Sequence, residues 1–234
     1  VVILMCLLLW GTTFQEWSDL MTLIIVSFIG YLMIEANTTF TLIRTRSTLP
    51  VCIYGWLASS LLFLHPFTWS NWVPLVFILS VYQLFRSYES PSPTYPIYHA
   101  FLLIGLGSLA LPQFMVFALL LWGSMIPFRE KKKKSFLASL IGLVTPYWFL
   151  FGYAFYFDQM PLFLAPLQEM IHFYPIDFSY LNSTEIISWA VITTMLIISS
   201  IHYGQIAYMD KTRTRIYHTF LVYAGGWTTL LSIL

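Results

Sequence analysis

The sequence predicts an all-α fold: a polytopic transmembrane helical bundle with about eight full spans, one partial N-terminal span, and an interfacial helix in its longest outer loop. Three observations carry this expectation. Of 234 residues, 59% are hydrophobic and 9% charged, with a mean hydropathy of +0.76, whereas about a quarter of a soluble domain is charged. Apolar stretches recur from one end of the chain to the other, separated by polar connections. All 11 Lys and Arg residues fall in every second connection: Arg44 and Arg46, then Arg86, then Arg129 with Lys131, Lys132, Lys133 and Lys134, then Lys211, Arg213 and Arg215.

That alternation predicts orientation as well as class. Cations are costly to translocate, so Lys-rich and Arg-rich loops accumulate on the cytoplasmic side. The expected location is a membrane, with these loops in the cytoplasm. The opposite side carries Glu16, Asp19, Asp158, Glu169, Asp177 and Glu185 and no Lys or Arg. Cys6 and Cys52 lie in or beside apolar runs and read as packing thiols rather than a disulfide. The chain opens inside an apolar stretch with no initiating Met, charged leader region or small-residue cleavage site. It therefore reads as a single transmembrane domain over 1–234, truncated at its start.

Taken in order, Val1 to Trp10 is too short to cross, since a span needs about 20 residues, and reads as the end of a helix. The full spans follow at Trp17 to Ile34, Pro50 to Leu64, Trp72 to Phe85, and from Ile97 to the turn at Gly105 to Pro112. The next runs from Pro112, placed for a first helical turn, to Phe128. Ser135 to Phe157 contains Pro146, which should kink it and is tolerable in lipid only where neighbouring helices satisfy the freed carbonyl. Ala138 and Gly142 form a small-xxx-small pair suited to close approach. Glu185 to His202 and Tyr217 to Leu234 complete the set. Trp10, Trp17, Trp69, Trp72 and Trp189 map to the outer boundary, where amphipathic rings anchor. Between Asp158 and Thr184, Leu167, Met170, Ile171 and Tyr174 share one helical face and Gln168, Glu169 and His172 the other, the pattern of a helix lying on the membrane or covering a cavity.

Candidate chemistry is sparse. Glu16 and Asp19, in the first outer connection, are the catalytic candidates: a carboxylate there can act as a general base or hold a divalent cation against a phosphate. The plainer account is that they stabilise a helix N-terminus. Asn37, Arg44 and Arg46, with Ser47, are candidates for a lipid phosphate held by Arg forks, against the plainer role of topological anchoring. Glu169 and His172, with Asp158, Asp177 or His65, lack the second motif that a carboxylate-bridged metal site in a bundle requires, so no metal site is assigned. His99, His202 and His218 share no ligand spacing. Motifs for prenyl transfer, phosphate-loop nucleotide binding, zinc proteolysis and nucleophile-elbow hydrolysis are missing, and nothing points to nucleic acid.

Two resemblances add to this reading. Asn37 together with Leu42-Ile43-Arg44-Thr45-Arg46-Ser47-Thr48-Leu49-Pro50 resembles an uncharacterised family of bacterial multi-pass inner-membrane proteins. Residues 50 to 152 resemble the middle spans of multi-pass C-type glycosyltransferases through the Gly105 to Pro112 hairpin, the Leu-rich return, the basic turn at 129 to 134, and Gly142 with Pro146. That second resemblance implies a polyprenyl-linked sugar donor, transfer at the outer leaflet, and a catalytic acid in the first outer loop, where Glu16 and Asp19 match. The adjacent acidic pair of such enzymes is absent, Leu111 stands where they often carry Arg, and no outer cation offers itself to a donor phosphate. The expected partners are membrane lipids, among them a polyprenyl phosphate, or a protein of the cell envelope. The competing expectation is a non-catalytic scaffold or assembly subunit, and whether the chain is an enzyme is left open.

Overall fold

A computed structural model describes residues 10–12, 17–43, 47–61, 65–88, 90–126, 133–171 and 183–231, and these contain helices and no strand. The helices are α1 (Asp19–Phe40), α2 (Leu49–Ser60), α3 (Trp72–Ser87), α4 (Thr94–Ala110), α5 (Phe117–Met125), α6 (Lys133–Tyr156), α7 (Met160–Ile171), α8 (Ser183–Ile206) and α9 (Thr212–Leu231). Each of the eight apolar segments predicted as full spans overlaps one of these helices, several of them shorter than the predicted span, and α7 falls in the longest predicted outer loop. Among the described residues three helices are long and apolar enough to cross a membrane: α1, α6, and α8 with its 3-10 continuation, Thr184–Met209. The others are shorter, like the 12-residue α2, or carry charge, like α9 with Arg213 and Arg215.

Helix ends depart from the hydropathy boundaries for local reasons. Helix α1 runs on through Glu35, Asn37, Thr38 and Thr39, residues expected in a connection. The Thr38 hydroxyl donates to the Glu35 carbonyl at 2.9 Å and that of Thr39 to Glu35 Oε1 at 3.2 Å. These bonds satisfy the polar side chains on the helix itself, and the helix stops only where Thr41 turns left-handed at φ 50°. Helix α9 likewise begins at Thr212, ahead of the predicted Tyr217. Pro112 opens a 3-10 turn, Pro112–Val116, rather than α5 itself.

The core is built around α4. Ile97, Ala100, Phe101, Ile104, Gly105 and Ser108 are buried, and their spacing of three and four residues lines one helical face. Helix α3 packs on one side and α6 on the other. The predicted close approach is present: a Cβ at Gly142 would collide with the carbonyl of Tyr98, and one at Gly105 would lie 2.7 Å from the carbonyl oxygen of Leu143. Pro146 sits inside α6, buried, and packs towards Gly105.

Three hydroxyls in this packed layer follow one scheme. Ser108, Thr145 and Ser139 each donate to a carbonyl of their own helix, at 2.8, 2.6 and 2.6 Å. Each hydroxyl oxygen then accepts from an aromatic side chain of a neighbouring helix: Tyr147 at 2.7 Å, Tyr98 at 3.4 Å, and Trp122 Nε1 at 2.8 Å. Interhelical hydrogen bonds of this kind hold helices together where apolar burial gives no net gain over lipid.

The described cations gather at one end of the helices. At one end Tyr217 of α9 stacks on Phe85 of α3 with ring centroids 4.3 Å apart, packs edge-on against Phe40 of α1, and donates its hydroxyl to the Phe85 carbonyl at 3.1 Å. The described cations, including Arg86, Arg213 and Arg215, fall at this basic end. At the other, Asn71 before α3 reaches Thr22 in the first turn of α1, and Asp19 lies beside it. Trp17 and Trp69 are exposed at that acidic end, as expected of boundary rings. Trp10 is not, being buried against His65.

Candidate functional site

The basic end holds a cavity of about 360 Å³ bounded by α1, α2, α3 and α9. Its walls are Met33, Ile34, Val51, Ile78, Val81, Phe85 and Leu221, while Asn37, Thr38, Ser47, Thr48, Tyr82 and His218 supply its polar groups. This division arises because the end of α1 remains helical as its sequence turns polar, so its last two turns present Asn37 and Thr38 to a space that α3 lines with aliphatic side chains.

Two hydrogen bonds shape the mouth. Asn37 Oδ1 accepts from the backbone N–H of Ile43 at 2.9 Å, and His218 Nε2 donates to the carbonyl of Leu42 at 2.8 Å. A carbonyl can only accept, so His218 carries its proton on Nε2. Together they clamp residues 41–43, the turn that leaves α1, against the cavity rim. Tyr203 of α8 packs behind His218, with ring centroids 4.8 Å apart. Arg213 Nε donates to the Tyr217 hydroxyl at 2.9 Å and its guanidinium lies over that ring, which fixes one cation close beneath the site.

Of the predicted phosphate group, Asn37 and Ser47 line this cavity, whereas Arg44 and Arg46 lie outside the described residues. In the chain the two arginines stand between Ile43 and Ser47, both of which line the cavity.

The acidic end carries a second polar cluster. Asp19 is the first residue of α1 and 8% exposed, and His65, in the turn between α2 and α3, is 2% exposed and stacked on Trp10 at 3.9 Å. Burial lowers the His65 pKa from its ordinary 6.5, offset in part by hydrogen bonds to the Ala58 and Ser59 carbonyls and by the negative charge of Asp19. Asn71 Nδ2 donates to Thr22 Oγ1 at 3.0 Å and to the Pro66 carbonyl at 3.2 Å, and the Thr68 hydroxyl donates to Asn71 Oδ1 at 2.6 Å. Glu16, the other catalytic candidate, lies outside the described residues. Among the described residues no group of three or more His, Cys, Asp or Glu side chains is placed to hold a metal ion. Of the sequence's other candidate ligands, Asp177 and His172 lie outside the described residues.

The participation of His218 and of Asn71 escaped sequence reasoning. His218 meets Leu42 across 176 residues and Asn71 meets Thr22 across 49, so no local spacing announces either pair.

No protein-family model matches the chain, and no curated protein and no solved structure matches it significantly. Function must therefore be argued from the sites.

Proposed function

We propose that the protein is an eight-span membrane protein of the bacterial inner membrane, its basic end in the cytoplasm, that holds an amphiphilic phosphate-bearing lipid in the cavity between α1, α2, α3 and α9. The observation that carries this reading is the division of the cavity into apolar walls and a polar rim at the end where the cations gather. A lipid tail fits such walls, and Arg44 and Arg46 are the residues proposed to fork its phosphate, with Asn37 and Ser47 at the rim. The eight-span count is supported by the coincidence of helices with all eight apolar segments. The orientation is supported by the sorting of charge between the ends.

The test is lipid retention by the full-length protein. Thr48 lines the cavity, is exposed, and makes no capping hydrogen bond as the residue before α2, so Thr48→Phe should fill the mouth without unfolding the chain. Retention of a phosphate-bearing lipid should fall in Thr48→Phe, and its preference over a zwitterionic one should fall in Arg44→Gln with Arg46→Gln. Unchanged retention in both variants overturns the reading. For topology, reporter fusions at 89, 131 and 212 should lie in the cytoplasm and those at 67 and 170 outside, and one reversed pair refutes the arrangement.

A second reading, glycosyl transfer from a polyprenyl-linked donor at the outer leaflet, is favoured by the position of Asp19 in a polar cluster at the acidic end, in electrostatic reach of His65. Asp19→Asn should then abolish transfer while membrane abundance is kept; lost abundance instead supports a role for Asp19 in holding the start of α1. A stoichiometric envelope protein that co-purifies with no such lipid supports the scaffold reading instead.

A further inference from the structure

On another face of α9, away from the cavity, α9 and α5 leave a groove of about 500 Å³ between them. Arg215 stands at one end of it and Trp227 at the other. Twelve residues of helix separate these two, about 18 Å at 1.5 Å per residue. The rim residues Leu119, Ile126 and Tyr223 are exposed, so the groove is open along its side.

Its charge is confined to one end. The Ser124 hydroxyl donates to the Leu121 carbonyl at 2.6 Å and the Thr219 hydroxyl to the Arg215 carbonyl at 2.8 Å. Both hydroxyl hydrogens are therefore spent on their own helices, and the floor between them behaves as an apolar surface. Gly123, itself exposed, leaves open space in the groove, where a Cβ would meet nothing within 4 Å. The exposed Arg215 is the charged group of the lining.

We infer that this groove is a binding site for one anionic glycerophospholipid of the surrounding bilayer, with an acyl chain along the floor and the headgroup phosphate on Arg215. A guanidinium offers a planar fork to phosphate oxygens, and it lies at the basic end, at the level where the headgroups of one leaflet gather if the chain spans the membrane as proposed. The inference rests on that embedding but not on the cavity lipid, which occupies a different face of α9.

The experiment uses the full-length protein in mild detergent, titrated with phosphatidylglycerol or phosphatidylcholine and read by native mass spectrometry. With the cavity filled by Thr48→Phe, the protein should retain one phosphatidylglycerol with a preference on the order of tenfold over phosphatidylcholine, the size of one charge-assisted contact. Arg215→Gln should erase the preference while leaving chain binding in place. Gly123→Leu should grow into the open floor and reduce retention of both lipids. The effects of Arg215→Gln and Gly123→Leu should be the same whether Thr48 is intact or replaced by Phe, which separates this site from the cavity. Unchanged preference in Arg215→Gln together with unchanged retention in Gly123→Leu overturns the inference. Occupation of the groove by a co-purifying protein helix, displaced by Gly123→Leu with no dependence on lipid charge, overturns it as well.

Discussion

Replacing Gly105 with alanine probes how α4 and α6 are held together. The added methyl carbon would sit 2.7 Å from the Leu143 carbonyl oxygen and 3.0 Å from Pro146 Cγ. Carbon and carbonyl oxygen ordinarily stand about 3.3 Å apart or more, so the helices must separate by roughly 0.6 Å. Neither obstacle can rotate aside, because one is backbone and the other a ring fused to it. Overpacking a well-filled interior costs about 1–3 kcal/mol, and blocked relaxation places this case at about 2–3 kcal/mol. Alanine recovers about 1 kcal/mol of helix propensity over glycine, leaving a net loss of about 1–2 kcal/mol. For a chain of this size each kcal/mol moves Tm by about 2–4 °C, so Tm should fall by about 2–8 °C. The assay is thermal unfolding of the purified protein in detergent, with Gly123→Ala as the paired control. At Gly123 nothing opposes the methyl, and Tm should hold or rise. Equal Tm values for the two variants would refute the close-packing argument.

Two further outcomes follow from the polar groups. Tyr147→Phe removes the donor to Ser108 and should cost about 0.5–1.5 kcal/mol, whereas Tyr98→Phe, whose bond to Thr145 is 3.4 Å long, should cost less; the reverse order in unfolding measurements would discredit the donor-to-hydroxyl scheme. His65 predicts a pH dependence. Its folded pKa lies below 6.5, so as pH falls below that value the unfolded chain binds the proton first and stability declines until the lowered folded value is passed. His65→Phe keeps the stack on Trp10 and should remove this slope; a stability difference between the two proteins that is flat from about pH 7 to about pH 5 contradicts the assignment.

The two candidate sites differ in how far sequence reached them. Asn37 and Ser47 were identified as a polar group in a basic connection, and both line the cavity. The role of Asn37 nevertheless needed the structure: its side-chain oxygen holds the N–H of Ile43 in the turn that closes the rim. The remaining lining comes from residues as far apart as Met33 and Leu221. Asp19 was legible as an outer acid, but its burial beside His65 was not, since that depends on the turn after α2 folding back over the start of α1. Trp10 shows the same limit. Its composition marks a boundary ring, yet contact with His65 buries it.

By itself the sequence determined the all-helical class, the positions of the eight apolar segments and the segregation of cations to alternate connections, because hydropathy and charge are summed along the chain and tolerate local error. It also marked Gly142 and Pro146, since small residues and an interior proline have meaning wherever a neighbouring helix lies close. Only the tertiary structure decided that α4 is central, that α1, α2, α3 and α9 surround a cavity, and that α5 and α9 leave a groove ending at Arg215. Each of these depends on how a helix is rotated about its axis. Successive residues differ by about 100° around a helix, so an error of one residue in phase redirects every side chain, and that phase is set by contacts between segments far apart in the chain.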